Sequence, residues 1–434
     1  MSRPAFQVDD TDGPRTTRAW VLHPDIKTVP DPDRRLPRYA LAEAVSLAHA
    51  LPELEVIGSE IVPLKTVRAG MLFGSGKIAE LKETFSREEI ELVLVDGPVS
   101  PVQQRNLEKA WGVKLLDRTG LILEIFSDRA ATREGVLQVE MAALSYQRTR
   151  LVRAWTHLER QRGGLGFVGG PGETQIEADR RAIDEQLTRL RRQLDKVVKT
   201  RALHRASRAK VPYPIIALVG YTNAGKSTLF NRLTGADVTA KDMLFATLDP
   251  TMRRLHLPDG PEVILSDTVG FISQLPTELV AAFRATLEEV LAADVICHVR
   301  DISHPETEEQ AKDVREIMVS LGVGEDRPMF EVWNKLDALS KEEADAMRAR
   351  AERDSGVFAI SALTGDGIDA FLVAITETLQ GSKHDAVLCL SFADGKKRAW
   401  LFDQDLVSSE RQTDTGFEIT VRWTSAQEAQ FARL

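Results

Sequence analysis

The sequence is poor in cysteine and has no long apolar segment. Its two cysteines, Cys297 and Cys389, lie in apolar runs, so we expect buried thiols rather than a disulfide pair or a metal site. No uninterrupted run of about 18 apolar residues occurs, which argues against a transmembrane helix and leaves only peripheral membrane association open. Residues 1–18 lack the apolar stretch of a secretory signal and predict a disordered leader. These absences predict a cytoplasmic protein.

An excess of basic residues is also missing. The formal net charge is −9, which argues against a general nucleic-acid-binding surface, although a whole-chain value can hide a local basic segment. The hydrophobic and charged fractions, 43% and 28%, are typical of a globular protein, and 434 residues provide for about three domains.

A phosphate-binding loop is the strongest motif in the chain. Residues 220–227 match the pattern G-x-x-x-x-G-K-[ST], between an apolar run that predicts a strand and a segment that predicts a helix. Backbone N–H groups of such a loop point at phosphate oxygens, and the helix N-terminus adds favourable charge. Lys226 is expected to reach the β- and γ-phosphates, and the Ser227 hydroxyl to hold Mg²⁺. The predicted nucleotide contacts of this loop are Gly220, Tyr221, Thr222, Asn223, Ala224, Gly225, Lys226, Ser227 and Thr228.

A second motif, D-x-x-G, follows another apolar run at residues 267–270. We expect Asp267 to hold Mg²⁺ through water and the Gly270 N–H group to sense the γ-phosphate. Upstream, Thr247 is expected to close on Mg²⁺ only when the γ-phosphate is present, with Thr251 as the alternative. The predicted metal ligands are therefore Ser227, Thr247 and Asp267, and the predicted catalytic residues are Lys226, Thr247 and Gly270.

Two further motifs select guanine over adenine. Residues 334–337 match N-x-x-D, and a single carboxylate, that of Asp337, can accept both N1–H and N2–H₂ of guanine. Adenine would leave this carboxylate unpaired, which is costly. The Ala362 N–H group is expected to bond the guanine carbonyl oxygen. The predicted base contacts are Asn334, Lys335, Asp337, Ser361, Ala362 and Leu363, and together the motifs predict Mg²⁺-dependent hydrolysis of GTP to GDP.

The residue after Gly270 is Phe271, where Ras-like GTPases have the glutamine that orients the attacking water. An apolar side chain cannot position water, so we expect slow intrinsic hydrolysis that a partner or another group accelerates. The Asn223 amide is one such group, because its oxygen can help to bind K⁺ near the phosphates and so replace an arginine finger.

The predicted fold class is α/β, with a GTPase domain at 211–380 whose mostly parallel sheet is flanked by helices. Alternating strands and helices at 19–136 predict a smaller α/β domain before it. Residues 137–210 carry heptad seams that predict an antiparallel helical hairpin, with a glycine-rich tip at 163–172. Its second arm is expected to be about 25 residues, or about 38 Å, long. Residues 385–434 predict a small α/β domain.

Two local predictions accompany these domains. In the first domain, Gly74 to Lys77 resembles an incomplete phosphate loop, and a structural turn into a helix is the simpler interpretation. In the last domain, residues 386–392, 398–402 and 417–423 predict strands, with a hairpin turn at Asp394–Gly395.

The second arm of the hairpin is the one basic segment. Between Gln186 and Lys210, nine residues are Lys or Arg and only Asp195 is acidic. This imbalance favours RNA contact over an ordinary solvated face, since such residues neutralise phosphates. The predicted RNA contacts are Arg189, Arg191, Arg192, Lys196 and Lys199, with Gly163 and Gly164 of the tip.

With these motifs in hand, the chain resembles the HflX family of translational GTPases. The resemblance rests on residues 220–231, 245–251 and 267–272, and extends to 163–175 and 100–108, so it covers about residues 19–380. Residues 1–18 and the C-terminal segment match no family.

We expect a monomer. The resemblance implies a factor that binds GTP or GDP and the large ribosomal subunit with its rRNA. It implies contact near the peptidyl-transferase region, splitting or recycling of stalled or stress-inactivated ribosomes, and ribosome-stimulated GTP hydrolysis. ATP use by the N-terminal domain, discussed for the family, has only the incomplete loop near Lys77 as support. Two alternatives stay open: a GTPase that acts on a protein or membrane partner with the hairpin as a dimerising coiled coil, and a structural RNA-binding protein.

Overall fold

The computed structural model describes most of the chain. The described residues are 16–27, 35–161, 171–208, 213–236, 244–245, 247–248, 251–273, 275, 290–324, 327–380, 384–404, 406–413, 415–423, 427–428 and 431. Within these ranges, the side chains of 152–161, 171–176, 200–208 and 384 are not described. Among the described residues, no helix is both long enough and apolar enough to cross a membrane.

The N-terminal domain is built on a parallel four-stranded sheet in the order β2-β1-β3-β4. Its strands are β1 (Thr17–Ile26), β2 (Leu54–Leu64), β3 (Leu92–Val95) and β4 (Lys114–Asp117), and its helices are α1 (Pro37–His49), α2 (Ser75–Arg87), α3 (Pro101–Trp111) and α4 (Arg118–Arg129). Thr17 and Arg18 belong to β1, so the predicted leader boundary at residue 18 is two residues too late. The rest of that leader, up to residue 15, lies outside the described residues.

The incomplete loop before α2 forms a helix start in this structure. Lys77 forms ion pairs with Glu60 and Glu80, which occupy the ammonium group that a phosphate site would need. These ion pairs therefore support the interpretation of Gly74 to Lys77 as a structural turn into a helix rather than as a phosphate loop.

The hairpin consists of α5 (Arg133–Gln161) and α6 (Pro171–Arg208). The second arm is longer than predicted, since α6 has 38 residues and spans about 57 Å. Pro171 and Gly172, assigned to the tip, belong to α6, because proline is favoured in the first turn of a helix. The tip residues Gly163 and Gly164 lie outside the described residues. The apolar seam packs the two helices together through Leu137, Met141, Leu144, Ile183, Leu187, Leu190, Leu194 and Val197.

The GTPase domain has a six-stranded sheet in the order β10-β9-β8-β5-β7-β6, in which only the edge strand β6 is antiparallel to its neighbour. Its strands are β5 (Ile215–Gly220), β6 (Thr251–His256), β7 (Glu262–Asp267), β8 (Val295–Asp301), β9 (Met329–Asn334) and β10 (Val357–Ala359). Its described helices are α7 (Lys226–Thr234), α8 (Thr307–Leu321), α9 (Lys341–Ala351) and α10 (Ile368–Gln380). Because the parallel strands end at one edge, the motifs that follow them meet there.

The C-terminal domain corrects the sequence interpretation in three places. It contains β11 (His384–Ser391), α11 (Gly395–Asp403), β12 (Val407–Thr413) and β13 (Gly416–Trp423), with the antiparallel order β11-β13-β12. The predicted strand at 398–402 and the predicted turn at Asp394–Gly395 are wrong, because this segment forms α11. Strand β12 was missed, since its mostly exposed polar side chains give no apolar alternation. Cys389 is exposed on β11 rather than buried, whereas Cys297 is buried as expected.

Candidate nucleotide-binding site

The phosphate loop joins the buried end of β5 to the first turn of α7. Gly225 has φ of 91°, and a Cβ atom there would lie 2.2 Å from Asn334 Nδ2, so only glycine fits. Asn223 also has a positive φ of 60°. The loop is thus curled tightly against the start of the N-x-x-D motif.

Lys226 is folded back onto the phosphate loop. Its Nζ atom donates hydrogen bonds to Tyr221 O at 2.8 Å and to Gly220 O at 3.2 Å. Burial lowers the pKa of Lys226 to about 8, and the nearby Asp267 carboxylate offsets part of this effect. The ammonium group is therefore held at the loop by carbonyl oxygens, with little contact with solvent.

The three predicted metal ligands lie together. Ser227 Oγ donates to Asp267 Oδ2 at 2.7 Å, Thr247 Oγ1 donates to the same oxygen at 3.0 Å, and the two hydroxyl oxygens are 2.9 Å apart. The alternative residue, Thr251, is instead the first residue of β6 and pairs across the sheet with Asp267. Burial raises the pKa of Asp267, while Lys226 and the two hydroxyl groups oppose that rise.

This set of oxygens suits a hard divalent cation. The Asp267 Oδ1 atom is buried and has no hydrogen-bond partner among the described residues, so it is available for a further ligand. Mg²⁺ prefers carboxylate, hydroxyl and phosphate oxygens together with water, and these residues supply the protein share of such a set.

The predicted base contacts also meet at the sheet edge. Asn334 Nδ2 donates to Ala224 O at 2.8 Å, and Asn334 Oδ1 accepts from the Ala362 N–H group at 2.9 Å, so one amide joins three motifs. The Ser361 hydroxyl donates to the Asp337 carboxylate. Lys335 adopts a positive φ of 70° and pairs with Asp301 at 2.8 Å. This chain of contacts links the Asp337 carboxylate to the phosphate loop through Ser361, Ala362 and Asn334, while the side chain of Leu363 is exposed.

The side chain of Tyr221 points away from the phosphate loop. Its hydroxyl contacts Glu43 of α1, and it also accepts hydrogen bonds from the Ser273 N–H group at 2.8 Å and from Arg35 at 3.3 Å. Only the backbone of Tyr221 lies in the loop. The nucleotide contact predicted for Tyr221 is therefore expected from its main chain and not from its side chain.

The polar groups around the Tyr221 hydroxyl were not found from the sequence. They are Arg35, Glu43, Asp96, Arg118, Ser273 and Glu306. They come from both domains, and Glu43 is 178 positions from Tyr221 in the sequence. No local pattern could have indicated this cluster.

The predicted RNA-binding residues form an exposed row on α6. Arg189, Arg191, Arg192, Lys196 and Lys199 are all exposed, while Leu187 and Leu190 of the same helix face α5. The row therefore lies on the outer side of the hairpin.

We expect Asp337→Asn to weaken GTP binding by about 10- to 100-fold, because hydrogen bonds to a charged acceptor contribute about 1.5–3 kcal/mol. The variant amide would present a donor to the guanine N2–H₂ group. Xanthosine triphosphate, which has a carbonyl at that position, should therefore bind the variant better than GTP does. Calorimetric titration with both nucleotides measures this change of preference from GTP to xanthosine triphosphate.

Asp354→Asn is the matched control, since Asp354 is exposed beyond the end of α9. It should leave both affinities at the wild-type values. Unchanged GTP affinity in Asp337→Asn would contradict the assignment of this carboxylate.

Sequence profiles of known families match nearly the whole chain. Residues 38–127 match a profile described as GTP-binding GTPase N-terminal, and 129–208 match GTP-binding GTPase Middle Region. Residues 215–335 match a profile described as 50S ribosome-binding GTPase, and 346–434 match HflX C-terminal domain. The last match corrects the sequence analysis, in which the C-terminal segment matched no family.

Whole-chain relatives agree with these profiles. The chain is 49% identical to GTPase HflX of Magnetococcus marinus over 348 residues, covering 80% of this chain and 79% of the relative. It is 44% identical to GTPase HflX of Escherichia coli over 343 residues, covering 79% and 80%. Among solved structures, a GTP-binding protein from Sulfolobus solfataricus in complex with GDP is 22% identical and covers 83% of this chain and 98% of its own, with a TM-score of 0.44.

The α/β fold, the matched profiles and the identity to the relatives lead to one assignment. The chain belongs to the HflX family of P-loop GTPases, and it binds GTP and hydrolyses it.

Proposed function

We propose that this GTPase binds the large ribosomal subunit and that GTP hydrolysis accompanies the splitting or recycling of stalled or stress-inactivated ribosomes. The observation that carries the proposal is the exposed basic row on α6, a helix of 38 residues that leads from the glycine-rich segment to the GTPase domain. The profile described as 50S ribosome-binding GTPase supports the same partner.

The hairpin contacts argue against the dimerising coiled coil. The apolar side chains of its seam, such as Leu144 and Leu187, are buried between α5 and α6 of the same chain. A coiled coil between two copies needs a continuous apolar seam, and this one is already used inside the hairpin. The basic outer side suits a polyanion better than a second copy of itself.

The chemical step follows from the site. Ser227, Thr247 and Asp267 would hold Mg²⁺, which supplies positive charge to the β- and γ-phosphates. Lys226 would bind the same phosphates, and the Gly270 N–H group would bind the γ-phosphate. Phe271 is buried and has no group that can orient water, so a surface outside this chain or an additional cation completes the site.

We expect purified large ribosomal subunits to accelerate GTP hydrolysis by at least about tenfold, within the range that partner groups supply to GTPases. The measurement is the steady-state rate with increasing subunit concentration. A chain in which residues 163–170 are replaced one for one by serine keeps α5 and α6 and serves as the comparison. Equal rates with and without subunits would contradict the proposal.

Charge reversal of Arg189, Arg191 and Arg192 to Glu should weaken subunit binding and reduce its salt dependence. Each lost phosphate contact lowers the slope of log affinity against log salt by about 0.7–0.9, so three contacts lower it by about 2–3. Co-sedimentation at several salt concentrations gives this slope.

The control is the same reversal at three exposed basic residues near α9, Lys341, Arg350 and Arg353. It changes the net charge equally and should leave the slope unchanged. If both triple variants bind alike, α6 is not the RNA-binding surface.

We further propose that the Asn223 amide helps to bind K⁺ beside the phosphates. Single-turnover hydrolysis should then be faster in potassium than in sodium. Asn223→Gly should abolish the difference, since glycine accepts the positive φ of this position while removing the amide. Equal wild-type rates in the two salts would exclude this role.

A further inference from the structure

Arg232 connects the helix that follows the phosphate loop to the turn that carries part of the predicted base contacts. It lies in the last turn of α7, the helix that begins with Lys226. Its Nη1 atom donates to Leu363 O at 3.0 Å, and its Nη2 atom donates to Thr364 O. These carbonyl groups lie 131 and 132 positions further along the chain, in the turn after β10. One guanidinium group therefore joins two distant segments of the site.

The shape of the guanidinium group suits this contact. It is planar and its N–H groups have fixed directions, so two of its nitrogen atoms can bond two neighbouring carbonyl groups at once, which the ammonium group of lysine cannot do. Within the described part of the chain, no carboxylate forms an ion pair with Arg232. This geometry fits a residue that fixes the position of a backbone segment rather than one that balances a charge.

The turn after β10 has few other connections to α7. The Gly365 N–H group donates to Ser361 O at 2.8 Å, and Gly365 has φ of 96°, a conformation that favours glycine. These features close the turn on itself. The carbonyl groups of Leu363 and Thr364 accept hydrogen bonds from no described residue other than Arg232. Without the guanidinium group they would be left to water, and the turn would lose its connection to the C-terminal half of α7.

A second connection holds the same turn at the other end of α7. Asn334 Oδ1 accepts from the Ala362 N–H group at 2.9 Å, and Asn334 Nδ2 donates to Ala224 O at 2.8 Å. Ala224 lies just before the first residue of α7, whereas Arg232 lies in its last turn. One connection would leave the turn free to rotate about it. Two separated connections define the orientation of the turn as well as its position.

The orientation of this turn matters for one of the two predicted contacts with the base. Asp337 is expected to accept N1–H and N2–H₂ of guanine, and it lies in a separate segment after β9. The Ala362 N–H group is expected to donate to the guanine carbonyl oxygen, and Ala362 directly precedes the two residues that Arg232 contacts. Hydrogen bonds weaken steeply as the angle at the hydrogen falls. A rotation of the turn would therefore weaken the contact with the carbonyl oxygen first.

We propose that Arg232 is a positioning residue for guanine recognition, which orients the turn after β10 so that the Ala362 N–H group meets the guanine carbonyl oxygen. The inference rests on the predicted contact between Ala362 and guanine, and it is independent of the ribosome as a partner. It assigns a role in base selection to a residue of α7, outside the motifs that select guanine. GTP and GDP carry the same base, so Arg232 acts on both nucleotides equally.

Arg232→Met is the direct test, since it removes the guanidinium group and keeps a long unbranched side chain. We expect the affinities for GDP and for the non-hydrolysable analogue GMPPNP to fall by the same factor, about three- to tenfold, because two hydrogen bonds that orient the turn are lost. The ratio of the two affinities should stay at the wild-type value, since the γ-phosphate takes no part. Calorimetric titration of the full chain gives both constants.

Two base analogues separate the two parts of guanine recognition. The diphosphate of 6-thioguanosine keeps both donors for Asp337 and has sulfur, a weak acceptor, in place of the carbonyl oxygen. Inosine diphosphate keeps the carbonyl oxygen and lacks the N2 amino group. The wild type should prefer GDP over the thio analogue by about three- to tenfold, and Arg232→Met should reduce this preference to about twofold or less. The preference for GDP over inosine diphosphate should stay unchanged, whereas a role in folding alone would leave both preferences unchanged.

Arg232→Gln is the second variant, because the glutamine amide can still donate to one carbonyl group. Its preference for GDP over the thio analogue should lie between those of the wild type and Arg232→Met. This variant decides the question if the methionine variant is too unstable to titrate.

Arg348→Met is the matched control. Arg348 pairs with Asp366 of the same turn, but through an exposed ion pair between side chains, which contributes little. It should leave all three ratios unchanged. Equal affinity of the wild type for GDP and the thio analogue, an undiminished preference in the Arg232 variants, or an equal loss of preference in Arg348→Met would overturn the proposal.

Discussion

The loops that carry the predicted nucleotide contacts are packed on the N-terminal domain, and the rest of the structure depends on this buried contact. Phe245, Leu248, Phe271 and Ile272 flank Thr247 and Gly270, the two predicted γ-phosphate sensors, and share one hydrophobic cluster with Phe126 of α4. The rings of Phe126 and Phe245 are 4.6 Å apart and nearly perpendicular, which favours the pair beyond simple burial. A movement of Thr247 or Gly270 therefore changes packing that belongs to both domains.

This contact connects the hairpin physically to the candidate nucleotide-binding site. Helix α5 follows α4 directly, and Arg150 of α5 pairs with Asp117 at the end of β4, 3.1 Å away. The N-terminal domain and the hairpin base are thus joined by packing and by ion pairs, and they are expected to move together. In the proposed function, a change at the γ-phosphate is carried to the exposed basic row of α6, where the RNA partner is bound.

The sequence predicts features that depend on residues close together in the chain, and it does not predict contacts between residues that are far apart in the chain. The phosphate loop, the D-x-x-G motif and the base-recognition motifs are local patterns, and the parallel sheet brings them to one edge. Helix α11 was predicted as a strand and β12 was missed, because a short amphipathic segment and an exposed edge strand have weak periodicity. The cluster of polar groups around the Tyr221 hydroxyl could not be predicted, since it joins Glu43, Tyr221 and Ser273 across two domains. The resemblance to a family supplied the partner, which no motif in the chain specifies.

We expect the γ-phosphate to loosen the contact between the two domains. The most direct measurement is the distance between spin labels at Glu83 of α2 and Asp345 of α9, both exposed, by pulsed electron resonance. Cys389 is first replaced by serine because its exposed thiol would also react. If the γ-phosphate loosens this contact, the nucleotide-free and GDP forms share one distance distribution and GMPPNP gives a shifted or broader one. Identical distributions in all three states would contradict such a change at the domain contact.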